Sequence, residues 1–138
     1  MKGFEIIEHT ADVGVRATGA SLEEVFEQTT LGLLDIAGAW NPASSAAPPI
    51  PIEIEAGDLG ALLVEWLGEI LYLQEARDSV VTHLAVSHVG DGRATGSVTL
   101  EPRGDRVLEG TAVKAITYHE VKVEQVGDVW EAQIYVDV

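Results

Sequence analysis

Near the N-terminus, three side chains able to bind a cation or move a proton come within four residues: His9, Thr10 and Asp12. The residues on either side have strand-like patterns, and a plain hairpin here would need only a turn residue such as an aspartate that bonds its own backbone. The alternative is that Asp12 binds a hard cation, since Ca²⁺ and Mg²⁺ prefer carboxylate and carbonyl oxygens. One aspartate alone would bind such a cation weakly, so this hypothesis requires a second carboxylate.

The other end of the chain offers that carboxylate at Asp137, followed by the α-carboxylate of Val138. Strand alternation places Asp137 on the face opposite the apolar residues Ile134 and Val136, so a simply solvated side chain is one interpretation. We hypothesise instead that the two ends of the chain meet. Two or three carboxyl groups gathered in this way would suit Ca²⁺.

The remaining candidates are less specific. His9 could orient the turn, act as an acid or base, or cap a strand. His119 shares strand parity with apolar neighbours, which predicts a half-buried histidine. Lys114 and Tyr118 would share the opposite face of that strand, as a docking surface or as part of an ordinary amphipathic strand.

The common catalytic motifs are missing from the sequence. It contains no Gly-x-Ser-x-Gly nucleophile elbow, and it contains neither a Walker A loop nor a dinucleotide-binding fingerprint. We therefore name no catalytic residue. A small hydrolase that uses His9 and Asp12 stays as an alternative, as does a general chaperone-like binding module.

The length and net charge of the chain exclude further classes of function. The 138 residues fit one domain, 1–138, and carry a net charge of −15 with no cysteine. Such a field repels phosphate backbones, so we expect no direct nucleic-acid binding; it favours a cation or a basic protein surface, or it serves solubility alone. Because no leader or membrane-spanning apolar run is present, we expect a soluble and unprocessed protein, and the absence of cysteine fits a reducing cytosol.

The hydrophobic pattern predicts an α+β fold, with a mixed or antiparallel sheet packed against two main helices. Ser21 and Glu24 form a capping box before the first helix, which Gly38 ends; Asp58 caps the second and more strongly amphipathic helix. Pro51 suggests an edge strand or a strand start. The predicted strands are 4–8, 13–18, 50–54, 80–89, 93–100, 113–125 and 129–138.

These residues together closely resemble the archease family over nearly the whole chain. The likeness depends on a set of short segments in a fixed order, each of modest specificity: His9–Gly14, Ser21–Phe26, Asp58–Leu59, Leu62–Leu67, Glu69–Leu73, Val113–His119, Trp130–Ala132 and Asp137–Val138.

The resemblance implies a cytoplasmic accessory protein without turnover of its own. Archeases assist the GTP-dependent RNA ligase that joins 3′-phosphate or 2′,3′-cyclic phosphate ends to 5′-hydroxyl ends in tRNA splicing and RNA repair, promoting guanylylation of the ligase and repeated turnover. The resemblance also implies a divalent cation, commonly Ca²⁺, at Asp12, Asp137 and Val138. We take His9, Thr10, Lys114, Tyr118 and His119 as candidates for contact with the partner.

Overall fold

A computed structural model describes residues 2–9 and 12–138 of the chain, and only the backbone of Glu8 and His9. The predicted strands and helices are confirmed, although several strands extend one or two residues beyond their predicted ends and β6 begins at 115 instead of 113. In chain order the elements are β1 (Gly3–His9), β2 (Asp12–Gly19), α1 (Leu22–Ala37), β3 (Ile50–Glu55), α2 (Leu59–Ala76), β4 (Ser79–Gly90), β5 (Arg93–Pro102), β6 (Ala115–Val126) and β7 (Val129–Asp137).

Both helices begin at the predicted caps. The Ser21 hydroxyl accepts the backbone N–H of Glu24 at 3.1 Å, and Gly38 ends α1 in the left-handed conformation. The Asp58 carboxylate likewise accepts the N–H of Ala61 at 2.8 Å at the start of α2. Among the described residues, no helix is both long and apolar enough to cross a membrane.

The strands form two sheets in which every strand pairing is antiparallel. One sheet has the order β1-β2-β7-β6 and the other the order β3-β5-β4. The predicted α+β fold is therefore confirmed with antiparallel pairing, but the strands form two sheets instead of one. Pro51 lies on the edge strand β3, as its missing N–H requires.

The core lies where the helices and sheets meet, because α1 and α2 each contact strands of both sheets. Trp66 of α2 is fully buried and donates its indole N–H to the Thr30 hydroxyl of α1 at 3.0 Å. Gly96 lies beneath this ring: a Cβ there would fall 2.8 Å from Trp66 and 2.1 Å from the Ala85 carbonyl oxygen. The core thus depends on a close approach that only glycine permits.

The free edge of β4 is covered by the chain itself. Glu27 accepts the N–H of Val86 at 3.0 Å, and Glu23 accepts the N–H of Val89 at 2.8 Å. Further along the strand, residues 39–41 bond to both backbone groups of Val81. Covering an edge in this way keeps its N–H groups from pairing with another chain.

Candidate functional site

The N-terminal motif and the last strand meet in the four-stranded sheet, where Asp12 lies directly opposite Asp137. This pair opens the register between β2 and β7, which continues through Val13 with Val136 and Gly14 with Tyr135. Directly opposed residues on antiparallel strands have Cβ atoms about 5 Å apart and point to the same face. The predicted meeting of the chain ends is therefore confirmed for the backbone.

Two further strands complete this end of the sheet. The backbone of His9 pairs with Asp12 on one side, and Ala115 pairs with Asp137 on the other. The N–H of Lys114 also donates to the Asp137 carbonyl at 2.8 Å. We call Asp12, Asp137 and the adjoining Val138 the acidic tip.

The donors of the acidic tip fit a hard cation. Asp137 is exposed and Asp12 is partly exposed; neither carboxylate forms an ion pair with a basic side chain that the structure describes. Directly opposed like charges destabilise a sheet unless something neutralises them. The described part of the chain has no group of three or more acidic or histidine side chains able to hold a metal ion, so further ligands would be backbone carbonyls, such as that of Val138, or water.

Gly14, the last residue of the N-terminal motif, is needed for packing beside this pair. A Cβ on Gly14 would lie 2.9 Å from the Tyr135 ring and 2.8 Å from Ile7. The tyrosine ring thus lies across the glycine, as aromatic residues do when they cover a strand glycine. This contact fixes the position of the Tyr135 ring, and Tyr135 lies only two residues before Asp137 in β7.

The prediction for His119 is wrong, because its side chain is 67% exposed. The register between β6 and β7 shifts between Thr117 and Lys122, and Glu120 adopts a left-handed φ of 51°. Such a bulge breaks the two-residue alternation on which the prediction depended. The ring of His119 instead lies 6.2 Å from that of Tyr135.

A second feature adjoins the acidic tip: a groove of about 440 Å³ between α2 and β6. Its floor includes the buried residues Val64 and Leu71. We call it the α2–β6 groove and define it by the polar and aromatic residues on its walls: Glu65, Glu69, Tyr72, Glu75, Lys114 and Tyr118.

One hydrogen bond joins the two walls of this groove. The Tyr118 hydroxyl donates to the Glu65 carboxylate at 3.0 Å. This bond, helped by desolvation and by the negative charge of Glu65 and Asp58, raises the pKa of the Tyr118 phenol above its ordinary value. The hydrogen bond thus favours the protonated phenol and ties Tyr118 of β6 to α2 across the groove.

The structure thus places the predicted site residues in three different locations. Asp12, Asp137 and Val138 come together, Lys114 and Tyr118 line the groove, and His119 lies beside Tyr135. Thr10 and the side chain of His9 lie outside the described residues.

Sequence reasoning missed the carboxylate and aromatic stripe on α2. Glu65, Glu69 and Tyr72 have the spacing i, i+4, i+7, which places them on one helix face. That spacing was available in the sequence. Only the fold shows that this helix face lies opposite β6 and forms one wall of the groove.

Comparison with known proteins decides the family. Residues 4–138 match the Archease protein family (MTH1598/TM1083). The chain belongs to the archease family. It is 36% identical to the protein archease of Pyrococcus furiosus, over 100% of both chains, and 32% identical to that of Methanosarcina barkeri, over 99% of this chain and 97% of the other.

Solved structures agree with the archease fold. The solution structure of Methanobacterium thermoautotrophicum protein 1598 superposes with a TM-score of 0.76 at 28% identity, and covers 100% of both chains. A Thermotoga maritima crystal structure, described as an archease and possible chaperone, has a TM-score of 0.64 at 22% identity, with 97% of this chain and 96% of the other covered. The second likeness concerns the fold alone.

Proposed function

We propose that this archease is a cytoplasmic accessory protein, without catalytic turnover of its own, that activates a GTP-dependent RNA ligase and binds Ca²⁺ at its acidic tip. The observation that carries the proposal is the direct opposition of Asp12 and Asp137 without a basic partner among the described side chains. Family membership and the resemblance in the motif residues support the choice of partner.

A divalent cation is the simplest way to offset the repulsion between the two carboxylates. Asp12, Asp137 and Val138 would hold it, and Ca²⁺ accepts six to eight oxygens in flexible geometry, with water completing the shell. Mg²⁺ demands a tighter octahedral arrangement. Because Asp137 is exposed and Asp12 partly exposed, water can complete the shell, and this irregular set of ligands suits Ca²⁺ better than Mg²⁺.

The acidic tip would act on the ligase by binding one of its conformations more tightly than the others. An accessory protein shifts an equilibrium only by its difference in affinity for the two states. Nucleotidyl transfer needs closely placed charges around metal-bridged phosphates. A ligase conformation ordered for guanylylation is therefore the state that we expect this archease to stabilise.

The RNA substrate would be contacted by the ligase and not by this chain. A net charge of −15 repels the RNA backbone, and its effect at the surface is strongest at low ionic strength. We expect no binding of RNA alone to this protein at physiological salt.

The test is RNA ligation with limiting ligase and excess RNA that carries 3′-phosphate and 5′-hydroxyl ends. Wild-type protein should convert the ligase to repeated turnover. Asp12→Asn and Asp137→Asn should both abolish this effect, whereas Asp128→Asn, which makes the same change in the β6–β7 turn, should not. An equal effect of all four proteins would refute the proposal.

A chaperone-like binding module is a second candidate, because the α2–β6 groove exposes two tyrosine rings that a client could contact. It predicts suppression of aggregation of unrelated proteins, with no dependence on Asp12. The same preparations also test a hydrolase: phosphoester cleavage without ligase, lost in His9→Ala, would favour an enzyme.

A further inference from the structure

The α2–β6 groove exposes aromatic surface to solvent. Tyr72 is 64% exposed and Tyr118 is 56% exposed, and both line the groove above an apolar floor. Tyrosine is enriched at protein interfaces because it supplies a large rigid surface with a polar end. Two such residues on facing walls suggest a binding surface.

The walls of the groove also carry an excess of negative charge. Glu65, Glu69 and Glu75 stand against the single cation of Lys114. Glu65 and Glu69 are four residues apart on one helix, an arrangement in which like charges repel. None of the three glutamates forms an ion pair within the described part of the chain.

We propose that the α2–β6 groove binds an arginine-containing, basic segment of a partner protein. A guanidinium group is planar and weakly hydrated, so it can stack on the rings of Tyr72 and Tyr118 while it donates to carboxylates such as Glu69. A lysine ammonium cannot make both contacts as well, because it is compact and strongly hydrated.

Other occupants fit the groove less well. A second copy of this chain has 23 acidic and 8 basic residues, so its surface would repel the groove. A nucleic acid would be repelled by the same charge. The groove volume of about 440 Å³ suits one or two side chains with their backbone and not a folded domain.

This inference rests on the proposed accessory role, because it describes how the partner would be held. The β6 wall begins at Lys114 and Ala115, the residues that bond to and pair with Asp137. A partner that reaches the acidic tip would therefore lie beside the groove and could occupy both.

The experiment is an NMR titration of the ¹⁵N-labelled protein with the blocked peptide Gly-Ser-Arg-Leu-Arg-Gly-Ser. Peptides with lysine or neutral citrulline in place of both arginines are the matched probes. The arginine peptide should shift amides of 64–75 and 114–118, the lysine peptide should bind several-fold more weakly, and the citrulline peptide should not bind. Tyr72→Ala and Glu69→Gln should each weaken binding of the arginine peptide by about fivefold.

Glu124→Gln on the distal half of β6 is the control, since it removes the same charge outside the groove. The proposal is overturned if Glu124→Gln weakens binding as much as Glu69→Gln, if the lysine peptide binds as tightly as the arginine peptide, or if the shifts spread over the whole acidic surface. Absence of shifts at millimolar peptide also overturns it.

The two proposals fail in different ways. The titration contains no ligase, so it is unaffected if the ligase proposal is wrong. If only the groove proposal is wrong, Tyr72→Ala stimulates the ligase as strongly as the wild type.

Discussion

Asp12 and Asp137 lie directly opposite each other, 125 positions apart in the sequence, on the neighbouring strands β2 and β7. Each is the outermost residue of its strand at this end of the sheet. No lysine, arginine or histidine side chain that the structure describes pairs with either one. Folding therefore brings together two negative charges that the unfolded chain keeps apart.

Removing one of these charges should change stability in opposite directions with and without calcium. In a chelator, Asp137→Asn should raise the free energy of unfolding by about 0.5 kcal/mol, because it removes a directly opposed like-charge pair. With saturating Ca²⁺ the wild type should be the more stable, since ligand binding to the folded state adds to its stability. Thermal unfolding of both proteins, with Asp128→Asn as control, checks this; a variant less stable in chelator would contradict it.

The buried link between the helices should depend on one hydroxyl. The Thr30 hydroxyl accepts the indole N–H of Trp66 and donates to the Phe26 carbonyl. Thr30→Val keeps the side-chain shape but leaves that N–H without an acceptor, which should cost about 2 kcal/mol. Urea unfolding measures the loss.

Thr29→Val is the matched control for this measurement. Thr29 is also fully buried and donates to the Val25 carbonyl, but it accepts no tryptophan N–H. It should lose clearly less stability than Thr30→Val. Equal losses would show that the indole bond contributes nothing.

The carboxylates of α1 should protect the free edge of β4. Glu27→Ala removes the acceptor for the Val86 N–H and should cost about 1–2 kcal/mol, because hydrogen bonds to charged groups are stronger than neutral ones. Glu27→Gln keeps an acceptor and should recover part of that loss. Amide hydrogen exchange at Val86 should speed up in the alanine variant; an unchanged rate would contradict the role of Glu27.

The sequence predicted local structure well because the signals for it are local. The Ser21 cap, the Asp58 cap and the alternation around Asp137 each depend on a few neighbouring residues, and all are confirmed. The second half of the predicted capping box differs, because the Glu24 carboxylate accepts the N–H of Ala20 and not that of Ser21. His119 failed because a bulge inside β6 changes the side-chain alternation, and nothing in the local pattern marks that bulge.

Contacts that depend on how the strands pair could not be predicted from the sequence. The contact of Gly14 with Tyr135 and the contact of Glu65 with Tyr118 join residues far apart in sequence, so only the pairing of the strands and the position of α2 reveal them. The acidic tip was an exception, because the two ends of the chain carried candidate ligands that could be matched by their chemistry.

The phenol of Tyr118 should have a pKa above the ordinary value for tyrosine. The Glu65 carboxylate stabilises the protonated phenol of Tyr118, so its pKa is raised, and Glu65→Gln should lower that pKa toward the ordinary value. The stabilisation is present at neutral pH and is lost as pH rises through the pKa of Tyr118 in the folded protein. NMR titration of tyrosine ring resonances, with Tyr118→Phe for assignment, measures it; an unchanged pKa in Glu65→Gln would contradict the cause.

Calorimetric titration with Ca²⁺ tests the acidic tip most directly. The proposal predicts one saturable site in the wild type and in Asp128→Asn, and its loss in both Asp12→Asn and Asp137→Asn. Retention of wild-type Ca²⁺ affinity in either tip variant would contradict the claim that the opposed carboxylates form the site.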